Sequence, residues 1–466
     1  MTALLSLPNE ILHRIVYYAD REELLQLRLV GRSLSDVSRK YLFQSARVVP
    51  TDESCEKFEK ILNDPFLASC VTKVYLDTTD WDNVSFDLVG GTFDRVLTCD
   101  KEIDIEEYDD DEGEELFLPT RYSNLFKRLK EFPRLQGAVL RFEHECYSPR
   151  SIESIYVDCQ QEPDFRESVL ESFMESLTSL PRPIQELGLR DLQNLNQTDE
   201  ALVENIKEVL RGLHTLRLNI TNEHSEGNGE NDLEHDEPHL FFSELPSFWL
   251  QPTLANLQHL TLYSSNYYGF YPKFDPTGLH FPQLKTLALG NHAFIHDSQL
   301  DWILSHADTL TELYLDDCPI LYEVAIYAKE KTYLDPTSFG FKDGLGEKHY
   351  ATYDKRWHDY FNAFNDKLPH LRHFRYGHCP FWWDEGSPPF EQEQHIKLSL
   401  AKDRYMVFCD GFGPSPYMEE MIYREGGGRA RPDCYAEDEK ALVALCAKLG
   451  YKAEPDPDED LYGHFS

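Results

Sequence analysis

The chain has 466 residues, of which 41% are hydrophobic and 13% aromatic, so it can build a sizeable core and is not expected to be globally disordered. Its 83 acidic residues exceed the 45 basic ones, and the net charge of −38 argues against nucleic acid or an anionic membrane as a partner. The acidity favours a basic protein partner, or it serves only solubility.

The N-terminal sequence and the spacing of the cysteines predict a protein that stays inside the cell. The N-terminus turns polar too soon for a signal peptide, and no uncharged apolar run approaches the ~18 residues of a membrane-spanning helix. The ten cysteines show no paired spacing. Reduced thiols in the cytoplasm or nucleus are therefore expected.

Residues 4–45 are predicted to form three short helices. Pro8 suits the first turn of a helix, Gly31 is expected to end the second helix in the left-handed conformation, and Ser33 with Asp36 can cap the third. Helices this short have more aliphatic side chains than they can bury, so a neighbour is expected to cover the surplus, either the rest of the chain or a partner. Apolar residues recur at helical spacing along this segment: Ile11, Leu12, Ile15, Val16, Ala19, Leu24, Leu25, Leu27, Leu29, Val30, Val37, Tyr41 and Leu42.

Residues 7–43 resemble the F-box. The pattern Leu-Pro-x-Glu followed by aliphatic residues, an acidic turn and Leu-x-x-Leu-x-x-Val matches at Leu7, Pro8, Glu10, Ile11, Leu12, Ile15, Leu24, Leu27, Val30 and Arg32. The departures are Gly31 where cysteine is common, Ser33–Leu34 where tryptophan often lies, and Tyr18–Ala19 where leucine is usual.

The F-box resemblance implies a partner and a docking surface. It implies binding to a Skp-type adaptor, which links to the cullin and RING subunits of an SCF ubiquitin ligase. The alternative is that these helices only cap the rest of the chain. The residues implied to contact the adaptor are Leu7, Pro8, Ile11, Leu12, Ile15, Leu24, Leu27 and Val30.

A hexad of the form apolar-x-x-apolar-x-apolar recurs eight times after residue 70. Two successive intervals between starts are 27 and 26 residues, within the ~20–29-residue period of leucine-rich repeats, but the last is 61. Five hexads continue with a polar or thiol residue that can bond the following turn, at Thr79, Ser265, His292, Cys318 and Cys379. The eight hexads start at Val71, Leu135, Ile184, Leu213, Leu257, Leu284, Leu310 and Leu371.

The predicted fold class is α/β, with an N-terminal three-helix F-box followed by an irregular leucine-rich-repeat solenoid. Helical patterns precede many hexads, so a curved parallel sheet with outer helices is expected. The predicted domains are residues 1–50 for the F-box, 51–385 for the solenoid, and 386–466 for a C-terminal cap with an acidic tail. Acidic insertions at about 100–116 and 222–238 are either solvated loops or a clamp for a basic target segment.

No catalytic, metal or cofactor site is expected. No nucleophile elbow or phosphate loop occurs, and carboxylates are too numerous for any pair to be informative. His292, His296 and Cys318 could be zinc ligands, but a structural role is preferred because His292 occupies the polar turn position of a repeat. Trp382–Trp383 is interpreted as packing.

Residues that alternate with the buried positions of the hexads are predicted to form the target-binding face. Tyrosine and arginine are common in binding hot spots, and arginines on an acidic protein can recognise an acidic or phosphorylated target. Equally, they can neutralise neighbouring carboxylates. The candidate residues are Tyr75, Arg141, Arg190, Arg217, Tyr263, Tyr314, Asp316 and Arg375.

These patterns predict a non-enzymatic substrate-recognition adaptor of an SCF ubiquitin ligase, which holds an unknown target protein by its repeats. The second hypothesis is a repeat scaffold for protein interactions without any ligase connection.

Overall fold

The computed structural model describes residues 7–19, 21–79, 118–144, 146, 161–222, 236–327, 348–378, 389–409 and 429–452. The acidic insertion at about 100–116, most of the one at 222–238, Cys379, Trp382–Trp383 and the acidic tail lie outside the described residues. Across the described ranges, no helix is both long and apolar enough to cross a membrane.

The N-terminal segment forms three helices, α1 (Asn9–Tyr17), α2 (Arg21–Val30) and α3 (Arg32–Leu42). Gly31 separates α2 from α3, but its φ of 175° is extended rather than left-handed, so the expected left-handed helix end is wrong. Gly31 is instead the N-cap of α3 without a side-chain cap, which means that Ser33 does not cap this helix.

Nine parallel strands form the main sheet, in the order β1 to β8 followed by β11. Each strand of this sheet pairs with the next one along the chain, except that two strands of a second sheet, β9 (Ile320–Tyr327) and β10 (Lys348–Thr352), come between β8 and β11 in the sequence. The strands are β1 (Ser45–Val48), β2 (Lys73–Asp77), β3 (Gly137–Arg141), β4 (Glu186–Gln193), β5 (Thr215–Thr221), β6 (His259–Tyr268), β7 (Thr286–His292), β8 (Glu312–Asp316) and β11 (His373–Gly377).

The hexads coincide with eight of these strands. In each, the second and third apolar residues lie on the strand, as Leu260 and Leu262 do on β6, and they are buried. One further strand, β1, comes from a ninth hexad that the sequence analysis missed, Phe43-x-x-Ala46-x-Val48. The sheet therefore begins at Ser45, inside the range assigned to the F-box.

Helices between the strands bury their apolar side chains in the same core as the inward-facing strand residues. Capping helps to start several of them: the Thr51, Asp64 and Asp199 side chains accept hydrogen bonds from first-turn N–H groups. These helices are α4 (Asp52–Asn63), α5 (Pro65–Cys70), α6 (Thr120–Arg128), α7 (Pro163–Thr178), α8 (Glu200–Arg211), α9 (Asp236–Leu245), α10 (Asp297–Leu304) and α11 (Trp357–Lys367).

A second sheet of three strands adjoins the C-terminal part of the chain. β9 (Ile320–Tyr327) pairs antiparallel with β10 (Lys348–Thr352) and parallel with β12 (Tyr405–Cys409). Helix α12 (Tyr435–Lys448) contacts α11. The described part of residues 386–466 thus shares the core of the preceding region, and the predicted boundary at 385 does not separate two cores.

Candidate functional site

The three N-terminal helices have a small core of their own, distinct from the core of the sheet. It consists of Leu12, Val16, Leu24, Leu34 and Val37. Two residues implied to contact an adaptor, Leu12 and Leu24, are therefore only 1% and 7% exposed and cannot be direct contacts; they support the module from inside. Leu7, Leu27 and Val30 are partly buried against the same cluster.

Helix α1 and the residues that cap its two ends carry a second, exposed apolar stripe. Pro8, Ile11, Ile15 and Tyr18 follow one another at helical spacing, and Ile11 and Ile15 are 43% and 37% exposed. Leu25 and Leu29 of α2 are also exposed, the latter at 74%. These side chains are the surplus that the sequence predicted, and none of them belongs to the core of the sheet. We call Pro8, Ile11, Ile15 and Tyr18 the α1 stripe.

The predicted target-binding residues do share one face of the main sheet, which we call the arginine face. Tyr75, Arg217, Tyr314 and Arg375 lie in one row of residues across the sheet. The adjacent row, nearer the carboxyl ends of the strands, contains the remaining predicted residues. Its members are Asp77, Arg141, Arg190, Tyr263, Gly290 and Asp316.

The arginine face is covered by a segment of the same chain. Residues 389–396, which we call the strap, cross it in two short 3₁₀ turns, Pro389–Glu391 and Glu393–His395. Phe390, Glu393 and Ile396 of the strap are 4%, 3% and 1% exposed. The row that contains Tyr75, Arg217, Tyr314 and Arg375 is therefore covered by the chain itself, and target binding by these residues stays a prediction.

Two glutamates anchor the strap to the sheet. Glu391 pairs with Lys73 of β2 and accepts a hydrogen bond from the Tyr75 hydroxyl at 2.9 Å. Glu393 pairs with Arg217 of β5 and accepts from the Thr261 hydroxyl at 2.7 Å. Both contacts are charge-assisted, the stronger class of hydrogen bond.

Burial and charge shift the titration of these groups. Burial alone would raise the pKa of Glu393, but the hydrogen bond to His259 and the positive charge of Arg217 lower it to about 2. Burial, reinforced by the Arg217 charge, lowers the pKa of His259. Burial and the charge of Glu391 raise the pKa of Tyr75 to about 12. Glu393 is therefore ionised at neutral pH while Tyr75 keeps its proton.

Apolar contacts also hold the strap on the sheet. Ile396 joins Tyr263, Ala288 and Tyr314 in a cluster separate from the main core. The Tyr263 ring lies where a side chain at Gly290 would stand, so a glycine is needed there. These two tyrosines are 1% and 6% exposed, and the structure places them under the strap rather than on an open surface.

The remaining arginines of the face pair with carboxylates of the sheet. Asp191, in the left-handed conformation with φ 56°, lies 3.6 Å from the Nε atoms of both Arg141 and Arg190, and His144 is 3.0 Å away. Burial would raise the pKa of Asp191, but the hydrogen bond with His144 and the positive charges of Arg190 and Arg141 lower it. Arg141 is buried, as is Asp316. Arg141 and Arg190 are thus both close enough to Asp191 to neutralise its charge.

Three of the polar turn positions, Ser265, His292 and Cys318, are partly or fully buried. The Cys318 thiol donates to the Leu289 carbonyl oxygen at 3.5 Å, and the Ser265 hydroxyl accepts from the Asn222 N–H at 3.0 Å. His292 is buried, and burial lowers its pKa to about 3. Among the described residues, the groupings of possible metal ligands are His358–Cys434–Asp438 and Asp316–Asp317–His378, so His292, His296 and Cys318 do not converge.

Sequence reasoning missed five of the residues that hold the strap: Lys73, His259, Thr261, Glu391 and Glu393. The three on strands lie at alternate positions next to hexad residues, so the alternation rule would have found them. The two glutamates carry no local signal. Comparisons with protein-family models and with curated protein sequences found no match to this chain.

Proposed function

We propose that the protein is the substrate-recognition subunit of a Skp–cullin–F-box ubiquitin ligase. In this proposal helices α1 to α3 are an F-box that docks on a Skp-type adaptor, and the repeated strand–helix units are a leucine-rich-repeat-like body that holds a target protein. The chain acts in the cytoplasm or nucleus, and other subunits carry out ubiquitin transfer.

The observation that carries the proposal is the α1 stripe. Ile11 and Ile15 are exposed on a module whose own core is already filled by Leu12 and Val16, and no part of the stripe joins the main core. A helix that is apolar on two sides buries one side within its module and leaves the other for a partner. The resemblance of residues 7–43 to the F-box names that partner.

The mechanism of such an adaptor is proximity. Tethering a target beside a charged conjugating enzyme raises the effective concentration of its lysines without any chemistry by the adaptor itself. The packing of the body supports this role. One hydrophobic core extends from β1 to α12, so a target bound to the body would be held in a fixed position relative to the rest of the body.

Replacing Ile11 and Ile15 by aspartate tests the docking. We expect the Ile11→Asp, Ile15→Asp chain to lose at least about tenfold in affinity for a purified Skp-type adaptor, because two apolar anchors become charged. Its melting temperature should stay unchanged, since both side chains are exposed. The matched control is Leu240→Asp with Val443→Asp, which changes two exposed apolar residues of the body, 50% and 40% exposed. Equal adaptor binding by both variants would refute the proposal.

A repeat scaffold without a ligase connection is the alternative. It is favoured by the strap, which leaves the arginine face covered in the isolated chain. In that case, the three helices would only cap the first strand, and their removal would destabilise the sheet.

A further inference from the structure

We propose that the arginine face is a binding site for an acidic peptide of the form apolar-Glu-x-Glu, and that the strap occupies this site as an internal competitor. The inference rests on the proposed function in one respect, that the body holds a target; it adds the chemistry of that target and the state of the site.

The contacts to the strap resemble those of a binding site with a bound acidic ligand. Its carboxylates at 391 and 393 are each bound by a cation and a hydroxyl: Lys73 with the Tyr75 hydroxyl, and Arg217 with the Thr261 hydroxyl. Arg217 also donates to the Phe390 carbonyl oxygen at 2.6 Å. Cation and hydroxyl donors around each carboxylate are the arrangement by which proteins recognise acidic peptides.

The sheet also makes a hydrogen bond to the backbone of the strap. Arg375 Nε donates to the Gln394 carbonyl oxygen at 3.3 Å. The strap makes its own turns, with the Ile396 N–H donating to the Glu393 carbonyl oxygen at 3.2 Å, and it forms no strand of either sheet. An element that lies on a sheet without joining its ladder can leave without breaking the ladder.

Two buried apolar side chains of the strap, Phe390 and Ile396, flank the acidic pair. Phe390 lies over Gly188, where an added Cβ would stand 3.4 Å from its ring and 2.9 Å from Val139. Ile396 packs with Tyr263 and Tyr314 in a cluster separate from the main core. The site therefore selects an apolar residue just before the first glutamate and another three residues after the second.

Stability alone does not account for this arrangement. Buried ion pairs give back most of their attraction as desolvation, and replacing them by apolar residues is often neutral or stabilising. The strap nevertheless places two glutamates against Lys73 and Arg217 on a sheet whose opposite face packs into the apolar core. The ion pairs on the arginine face, opposite a face that packs into the apolar core, therefore indicate a binding site for an acidic segment.

Because the strap is part of the same chain, it sets the affinity that a competing target peptide must have. A segment of the same chain acts at an effective concentration of the order of millimolar, so a target peptide must bind far more tightly than that to displace it. Weakly acidic segments are excluded, which gives the face selectivity.

The test uses the full chain with Glu391→Gln and Glu393→Gln, and a fluorescent peptide PFEQEQHI that copies residues 389–396. We expect this variant to bind the peptide at least about tenfold more tightly than the parent chain, whose site is filled. The peptide PFQQQQHI should bind at least about tenfold less tightly, and adding Arg217→Gln should remove binding. A folded variant that binds no more tightly than the parent would overturn the proposal.

Hydrogen exchange of the parent chain covers the case in which the variant fails to fold. The strap amides of His395 and Ile396 should exchange faster than amides of β5, and faster still with excess PFEQEQHI. Strap amides that exchange as slowly as those of β5, with or without peptide, would show a permanent part of the fold. Neither measurement involves a Skp-type adaptor, so failure here and failure of docking are separate results.

Discussion

Glu393 shows at the scale of one residue how the arginine face is stabilised. The carboxylate is 3% exposed, and it is tolerated there because Arg217, Thr261 and His259 surround it. Its ionised form is favoured by these neighbours more than it is disfavoured by burial, which is why its pKa falls to about 2 from an ordinary 4.5.

The low pKa of Glu393 predicts a pH dependence. A carboxyl group with a depressed pKa in the folded state stabilises the fold fully above its unfolded pKa, and that contribution is lost as the pH falls from about 4.5 to about 2. The loss is on the order of 3 kcal/mol. Thermal melts of the parent and Glu393→Gln from pH 7 to pH 2.5 should show a gap that is largest above pH 5 and closes in acid. A gap that is constant with pH would contradict the assignment.

The N-terminal helices raise a question at the scale of elements, because β1 follows α3 with only two residues between them. The helices keep their own core, while Ala46 and Val48 of β1 belong to the core of the sheet. The division between module and body therefore falls at about residue 44, which is earlier than the predicted 50.

Two truncations distinguish a docking module from a cap. A chain that starts at Gln44 keeps β1, so we expect the melting temperature of its body to stay within about 2 °C of the parent. A chain that starts at Thr51 loses β1 and uncovers the edge of β2, which should cost on the order of 3 kcal/mol in urea unfolding. If the shorter deletion already unfolds the body, the helices are a cap and the scaffold alternative gains.

At the scale of the whole molecule, helix α12 links elements that are distant in the sequence. Asp438 of α12 is fully buried and accepts from Arg404 Nε and the Tyr405 hydroxyl, both at 2.9 Å, and from the His358 N–H at 3.0 Å. It thereby joins α12, β12 and α11, elements from opposite sides of the strap in the chain.

Removing this carboxylate should destabilise the whole body. Asp438→Ala leaves the Arg404 charge buried without its carboxylate, and we expect a loss of about 3–5 kcal/mol in the free energy of unfolding in urea. The control is Asp366→Ala, which removes an exposed carboxylate of α11 and should change stability by less than about 0.5 kcal/mol. Similar small effects of the two variants would mean that α12 is dispensable for the body.

Local patterns were sufficient for the elements. The hexads placed eight strands, because alternation with period 2 reports which side of a strand is buried, and Leu260 and Leu262 are buried as that rule requires. The same rule placed Tyr75 and Arg217 correctly on one face. It failed at β1, where Ala46 is too small to stand out as an apolar position and Phe43 had been assigned to the F-box.

Local patterns predicted the α/β class, the parallel sheet and a surplus of apolar residues in the N-terminal helices, because strand and helix periodicities depend on residues a few positions apart. The covering of the arginine face became evident only in the folded chain. Lys73 and Glu391 are 318 positions apart, and nothing near either residue indicates the other. Charge pairing at that separation is chosen by how the folded chain returns across its own sheet, and local periodicity carries no information about that return.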